Sequence, residues 1–248
     1  MALVYLDPFS GLSGDMIVGA LLDGGVPFDV VQESIQKLAI SGLTVGWQRT
    51  IRHGVAATKF DVNWQMADPP VHRPLQEILS LLDMSHLDSS VHDLARSIIL
   101  KLGHVEADIH GEALSEIHLH EVGGEDSIAD IVAAAASLVW LKPERMVVGP
   151  INVGSGFIDN AHGLCPVPGP ATLALLKGFI AYQDGPRIEL ATPTGAAIAA
   201  AIGEPGLMPL MAVQSIGYGA GQRDLCWPNV LRVVIGEDRT WAGKASPA

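Results

Sequence analysis

Apolar residues along this chain follow two periods, and the switch between them predicts the elements. Leu3-Val-Tyr-Leu6 is an unbroken apolar run of strand length. Met16 to Leu22 predicts an apolar helix, stopped by Gly24-Gly25, and Pro27 to Leu38 alternates at helical spacing with Asp29 near its start. Leu43 to Arg52 and Val55 to Trp64 are strand-like and break at His53-Gly54, which predicts an antiparallel hairpin. Met66 to Arg73 is rich in proline and charge and predicts an exposed connection, with His72 and Arg73 solvated. Pro74 suits a first helical position and opens a helix from Leu75 to Leu82. A second runs from Leu87 to His110, where Leu94, Ile98, Leu102 and Val105 form a core stripe. His104 and His110 near its end complement the helix dipole.

The second half keeps the alternation. Ile128 to Leu141 predicts an Ala-rich helix, Arg145 to Ile151 a buried strand, Ala171 to Lys177 a helix ended by Gly178, and Ala196 to Ile202 another Ala-rich helix. Met211 to Tyr218 and Val230 to Ile235 are the last strand-like runs, and Gly217-Tyr-Gly-Ala-Gly221 lies between them. The polar residues from Glu237 onward predict a frayed tail. Strands and helices alternate at both ends, around a hairpin and a helical middle. The expected fold is α/β or α+β, a mixed sheet with flanking helices and a helical insertion around residues 75–110. The expected organisation is one domain over residues 1–240 with a helical subdomain at 74–112 and a disordered tail at 241–248.

Composition narrows the classes. The chain has 248 residues, 48% of them hydrophobic, and a mean hydropathy of +0.31, which excludes a disordered protein. Aromatics are only 5%, so the core relies on Ala, Val, Ile and Leu. The net charge of −12 comes with no basic stripe, against a nucleic-acid binder. The longest uncharged apolar run, Ile131 to Leu141, is too short to span a bilayer. The N-terminus lacks a secretory signal, since Asp7 interrupts its apolar start. Cys165 and Cys226 form no C-x-x-C pair, and the expectation is two reduced thiols in the cytoplasm.

The densest chemistry lies between Glu116 and Asp130, where 15 residues hold two histidines and five acids. Imidazole and carboxylate together suit nickel, zinc or iron. His118 and His120 project from one face if the segment is extended. Glu121 follows, and Asp126 and Asp130 share a helix face. The expected metal ligands are His118, His120, Glu121, Asp126 and Asp130. The bland alternative is a capping box from Ser127 to Asp130 behind two solvated histidines.

Four other stretches carry candidate chemistry. Asp7 to Asp15 joins a strand to a helix through Ser10, Gly11, Ser13 and Gly14, the arrangement that offers backbone N–H groups to a phosphate. It is neither a Walker A loop nor a G-x-G-x-x-G. Asp15 is a candidate metal ligand or base; its alternative is a capping residue. Thr192, Thr194 and Gly195 precede a helix and form a second phosphate candidate, or a plain N-cap with Pro193 in the first turn. Asn152-Val-Gly-Ser-Gly156 is a second glycine-bearing loop. His162 to Pro170 is proline-rich and suits a rigid binding wall, with His162 as ligand, base or solvated loop residue.

Together these stretches resemble one family. Leu6-Asp-Pro-Phe-Ser-Gly-Leu-Ser-Gly-Asp-Met16, His118-Leu-His-Glu-Val-Gly123 with Asp126 to Asp130, His162-Gly with Pro166-Val-Pro, Thr192-Pro-Thr-Gly195 and Pro228-Asn-Val-Leu-Arg232 stand in the order of the LarC family of nickel-insertion proteins. The resemblance runs from Leu3 to Gly236. It implies nickel insertion into pyridinium-3,5-bisthiocarboxylic acid mononucleotide, a CTP-dependent cyclometallation of the lyase class. The product is the nickel-pincer cofactor of lactate racemase. It implies CTP with a divalent cation at a site outside this chain, in a C-terminal region that a separate LarC-like chain would supply. A homo-oligomer is compatible with the sequence. Pro8 stands where many family members have a cysteine, and Gly124-Glu125 replaces small apolar residues, adding a charge beside the metal candidates. On ligand chemistry, Asp15, Glu121 and His162 are the candidate bases. Two rival readings are a non-catalytic nickel chaperone and a metal-dependent hydrolase with a bound water of lowered pKa.

Overall fold

The computed structural model describes residues 2–64, 73–119, 123–160 and 163–239. Its elements in chain order are β1 (Ala2–Asp7), α1 (Gly14–Asp23), α2 (Phe28–Lys37), β2 (Leu43–Arg52), β3 (Val55–Trp64), α3 (Leu75–Asp83), α4 (Ser89–His110), α5 (Glu125–Leu141), β4 (Arg145–Val148), β5 (Ile151–Asn152), β6 (Phe157–Asn160), β7 (Gly163–Pro166), α6 (Pro170–Leu175), β8 (Ala181–Tyr182), α7 (Pro193–Ile202), β9 (Glu204–Pro205), β10 (Met211–Ala220) and β11 (Val230–Asp238). The main sheet is mixed, in the order β2-β3-β10-β11-β1-β4-β9. β1 is antiparallel to β11 and parallel to β4, so the N-terminal strand sits between the last long strand and the strand after α5.

The sequence accounts for most of these choices. His53 at φ 45° and Gly54 at φ 80° make the tight turn that joins β2 to β3. Alternation along β1 sends Val4 and Leu6 into the helix-covered core, and Leu3 and Tyr5 to the other face with Val147 and Val234. The glycines of β10 let α1 lie almost on the backbone of the sheet. A Cβ at Gly217 would fall 2.1 Å from the Ala20 carbonyl oxygen, and one at Gly219 would fall 1.8 Å from that of Met16. That contact fixes where the loop before α1 can lie. The Ala-rich faces of α5 and α7 pack in the same layer, and Ala133, Ala134, Ala197 and Ala199 are all fully buried. Leu75, Ile78, Ile98 and Leu102 of α3 and α4 join α1, α5 and α7 in one core cluster. Each such side chain contributes roughly 1.5–3 kcal/mol by burial.

Several expectations change in detail. α5 starts at Glu125, with Gly124 as its N-cap residue, not at Ile128. Ser127 to Asp130 is therefore no capping box; the Ser127 N–H donates to Asp126 Oδ1 at 2.9 Å inside the first turn. The strand expected over Arg145 to Ile151 divides at Gly149-Pro150, and its end pairs with β8 in a separate ribbon. The expected proline-rich wall contains β7, which pairs antiparallel with β6 just before it. Residues 66–72 of the expected connection and those after Arg239 lie outside the described residues. Among the described residues, no helix is long and apolar enough to cross a membrane.

Candidate functional site

The loop from Pro8 to Gly14 is held by its own turn and by the strand-like segment before α7. The Gly11 N–H donates to the Pro8 carbonyl at 3.2 Å. Gly11 adopts φ +107°, and a Cβ there would lie 2.2 Å from the Leu190 carbonyl oxygen. No residue with a side chain fits that turn. Leu12 then exchanges two backbone hydrogen bonds: its N–H donates to Leu190 O, and its carbonyl accepts from the Thr192 N–H, both at 2.9 Å. The two phosphate candidates, Ser10 to Gly14 and Thr192 to Gly195, are thus side by side. Gly195 completes the fit, since a Cβ there would lie 2.3 Å from the Leu12 carbonyl oxygen. Thr192 is the N-cap of α7, and its Oγ1 accepts from the Gly195 N–H at 3.2 Å.

The N-terminus of α5 closes the same corner. Thr194 Oγ1 donates to Ser127 Oγ at 3.5 Å. A Cβ at Gly14 would fall 2.5 Å from Asp130 Oδ2, so α1 and α5 meet with no room for a side chain. Three helix N-termini therefore converge on Ser13, Asp15, Asp130 and Thr194. Asp15 Oδ1 accepts from the Ser13 hydroxyl, and from the Met16 N–H at 2.9 Å. Burial raises the Asp15 pKa, and its hydrogen bonds offset only part of that rise. Asp130 accepts from the Asp15 N–H, yet its Oδ1 is sealed from solvent with no hydrogen-bond partner. Desolvation, then the charges of Asp15 and Asp126, hold its pKa well above the usual carboxylate range. Two adjacent carboxyls that resist ionisation can keep a proton, or release it when a cation arrives.

Other expected site residues fall in different places. Ser10 is fully buried; its Oγ accepts from Trp227 Nε1–H at 2.7 Å and lies 3.5 Å from Asn229 Oδ1. It ties the loop to the β10–β11 connection. His118 is exposed between buried Ile117 and Leu119, and its segment pairs with Pro74. The described part of the expected arm, up to Leu119, is extended at His118, and the described chain resumes at Gly123 before α5. Asp126 is exposed at the start of α5. His120, Glu121 and His162 lie outside the described residues. Among the described residues, no group of three or more His, Cys, Asp or Glu is placed to hold a metal ion. The charge added by Glu125 is neutralised inside the fold: the carboxyl is 2% exposed and accepts from Arg73, which also donates to Glu77 at 2.6 Å. Arg73 is correspondingly not a solvated loop residue.

Beside the converging helices a cleft of about 230 Å³ opens between Ser13, Asp15, Leu190, Thr192, Arg223 and Asn229. Arg223 and Asn229 belong to the β10–β11 connection, to which the periodicity of the sequence assigns no element. Lys59 also contributes, lowering the pKa of both Asp15 and Asp130 through its charge. The signal that could have found these residues is the glycine-rich Gly217 to Gly221 run, which ends at this cleft.

Residues 4–246 match the family described as nickel insertion protein. The chain belongs to that family. It is 43% identical to the pyridinium-3,5-bisthiocarboxylic acid mononucleotide nickel insertion protein of Geobacillus kaustophilus, over 96% of this chain and 60% of that protein. It is 43% identical to the protein of the same name from Desulfitobacterium hafniense, over 96% of this chain and 59% of that protein. Identity reaches 46% with a protein of Syntrophotalea carbinolica, over 98% of this chain and 62% of that protein. The chain thus spans about three fifths of the length of these relatives. No solved structure matches it.

Proposed function

We propose that this chain binds nickel and a pyridinium mononucleotide and inserts the metal, acting with the further region that its longer relatives possess. The observation that supports this most is the contact of Gly14 with Asp130. It joins the loop suited to a phosphate to the helix that follows the H-x-H-E arm. His118, His120 and Glu121 would take the incoming ion, with Asp126 beside them and Asp130 at the end of the acidic face. Carboxylates near a ligating imidazole orient it and raise its basicity. Backbone N–H groups of Ser13, Gly14 and Thr194 would face the phosphate, with the Gly195 N–H holding the Thr192 cap and the Ser10 hydroxyl holding the loop in shape.

Forming a nickel–carbon bond on the pyridinium ring replaces a C–H bond. The C–H electron pair becomes the bond to nickel, and the proton passes to a base. Asp15 suits that role: its residue lines the cleft, and burial raises its pKa, which makes the carboxylate a stronger proton acceptor. Glu121 and His162 remain the other proposed bases. CTP with its divalent cation is assigned to the region outside this chain, and the lyase class, the cytoplasm and service to lactate racemase follow from the same reading.

The test is incubation of the chain with nickel and the mononucleotide, with and without CTP, magnesium and the remaining region of a relative. Mass spectrometry should show a product one nickel heavier and short of the displaced protons when all are present, and Asp15→Asn should abolish it. Tight nickel binding with no product under any of these conditions would favour the chaperone reading instead. Metal-dependent release from phosphoester or amide substrates would favour the hydrolase.

A further inference from the structure

The chain carries nine arginines, and among the described residues seven have a carboxylate within ion-pairing distance. The two without one are Arg187 and Arg223. Both belong to the surroundings of one cleft. Arg223 lines it directly, and Arg187 immediately precedes the wall formed by Ile188, Glu189 and Leu190. In a chain of net charge −12, acids are abundant, and most arginines have found one. An arginine without an acid on the lining of this concavity, with a second in the segment that leads into its wall, points to an anion that is not part of the protein.

The segment that presents Arg223 is built rather than loose. Its ends are joined by the Gly221 N–H to Asn229 O bond at 3.0 Å. Asn229 Nδ2 donates to the Arg223 carbonyl at 2.8 Å, and Arg52 Nε donates to the Gly221 carbonyl at 3.2 Å. Trp227 anchors the middle through its hydrogen bond to Ser10. None of these bonds uses the guanidinium of Arg223, a residue that lines the cleft. The opposite wall carries Ser13, the N-cap of α1, and Thr192, the N-cap of α7. The two acids in the cleft are already engaged: Asp15 with Ser13 and the Met16 N–H, and Glu189 with a partner of its own.

We propose that this cleft holds the phosphate monoester of the mononucleotide, with Arg223 as its principal charge partner and Arg187 as a second. The inference rests on the proposed function for the identity of the mononucleotide. It adds the group that selects a nucleotide over its nucleoside. A cleft of about 230 Å³ accommodates a phosphate and part of a ribose, so the monoester is preferred to a triphosphate carrying a cation.

Binding without nickel tests this. The probes are the mononucleotide, the nucleoside lacking its phosphate, and CTP, each titrated by calorimetry into the full chain and its variants. The wild type should prefer the mononucleotide to the nucleoside. Arg223→Ala should weaken mononucleotide binding about tenfold or more, the scale of one lost charge-assisted pair, and leave nucleoside binding unchanged. Arg223→Lys should recover part of the loss, and Arg187→Ala should show a smaller one. Arg223 is exposed and its local bonds use backbone, so these variants should fold, which a thermal melt checks. Equal binding of mononucleotide and nucleoside by the wild type would overturn the proposal. So would wild-type affinity in the Arg187→Ala/Arg223→Ala double variant, or a loss confined to CTP. Because nickel is absent throughout, failure of metal insertion leaves this result intact, and failure here leaves insertion to be judged separately.

Discussion

Gly14→Ala is the most informative single perturbation of the corner where α1, α5 and α7 meet. Gly14 is the first residue of α1 and has no left-handed backbone, so alanine itself is compatible with the conformation. The obstacle is Asp130. The new methyl would lie 2.5 Å from Asp130 Oδ2, 2.6 Å from its Cβ and 2.9 Å from its Cγ. Relief requires α1 and α5 to separate by nearly an ångström, and overpacking of that kind costs about 1–3 kcal/mol. Alanine returns about 0.5–1 kcal/mol through helix propensity and a less flexible unfolded chain. The net expectation is a loss of roughly 1–2 kcal/mol, which in a protein of this size lowers Tm by about 3–6 °C. A calorimetric melt measures it. Gly46→Ala is the control: nothing lies within 4 Å of a Cβ at Gly46, and its change should stay near 0.5 kcal/mol or less. Mononucleotide binding should weaken in Gly14→Ala, because the strain falls on the loop before α1. An unchanged or raised Tm would refute the packing argument, and wild-type mononucleotide binding would refute the part given to this loop in holding the phosphate.

Three further outcomes follow from the same geometry. Arg73→Ala strands the buried Glu125 carboxylate and should cost about 3–5 kcal/mol in chemical denaturation; a loss under 1 kcal/mol would mean that Glu125 finds water or another donor. Asp130 keeps its proton in the folded state at pH values where the unfolded chain releases it, so its contribution is complete below the ordinary carboxylate range and falls as pH rises toward its raised folded pKa. Asp130→Asn should therefore flatten the decline of Tm as pH rises above the ordinary carboxylate range, about pH 4, and parallel profiles for variant and wild type would contradict the burial of that carboxyl. Thr192→Ala removes the N-cap hydrogen bond to Gly195 and should cost about 1 kcal/mol by urea melt; no change would mean that water caps α7 equally well.

Local elements were largely legible because each had a local cause. The β2–β3 hairpin keeps its expected bounds since His53 and Gly54 supply the turn and the strands need only each other. The start of α5 was misplaced because acids of a first turn read like a cap, whereas Gly124 takes that position. The β6–β7 hairpin escaped notice: its strands are four residues each, interrupted by glycine and proline, and pair outside the main sheet. The candidate site divides the same way. Asp15 beside Ser13, and Thr192 before Gly195, can be read from spacing. The meeting of those loops, and the arrival of Arg223 at their cleft, depend on β11 lying between β10 and β1, which no local pattern encodes. The role of Arg73 was hidden for that reason too, since its partner Glu125 is distant in sequence.

The central claim is that nickel enters through the arm that begins at His118 and runs into α5. Its most direct measurement is a calorimetric nickel titration of the full chain beside a His118→Ala/His120→Ala variant with an unchanged melt. The account predicts tight binding by the wild type and its loss in the variant. Equal binding by both would contradict it and move the metal to another set of ligands.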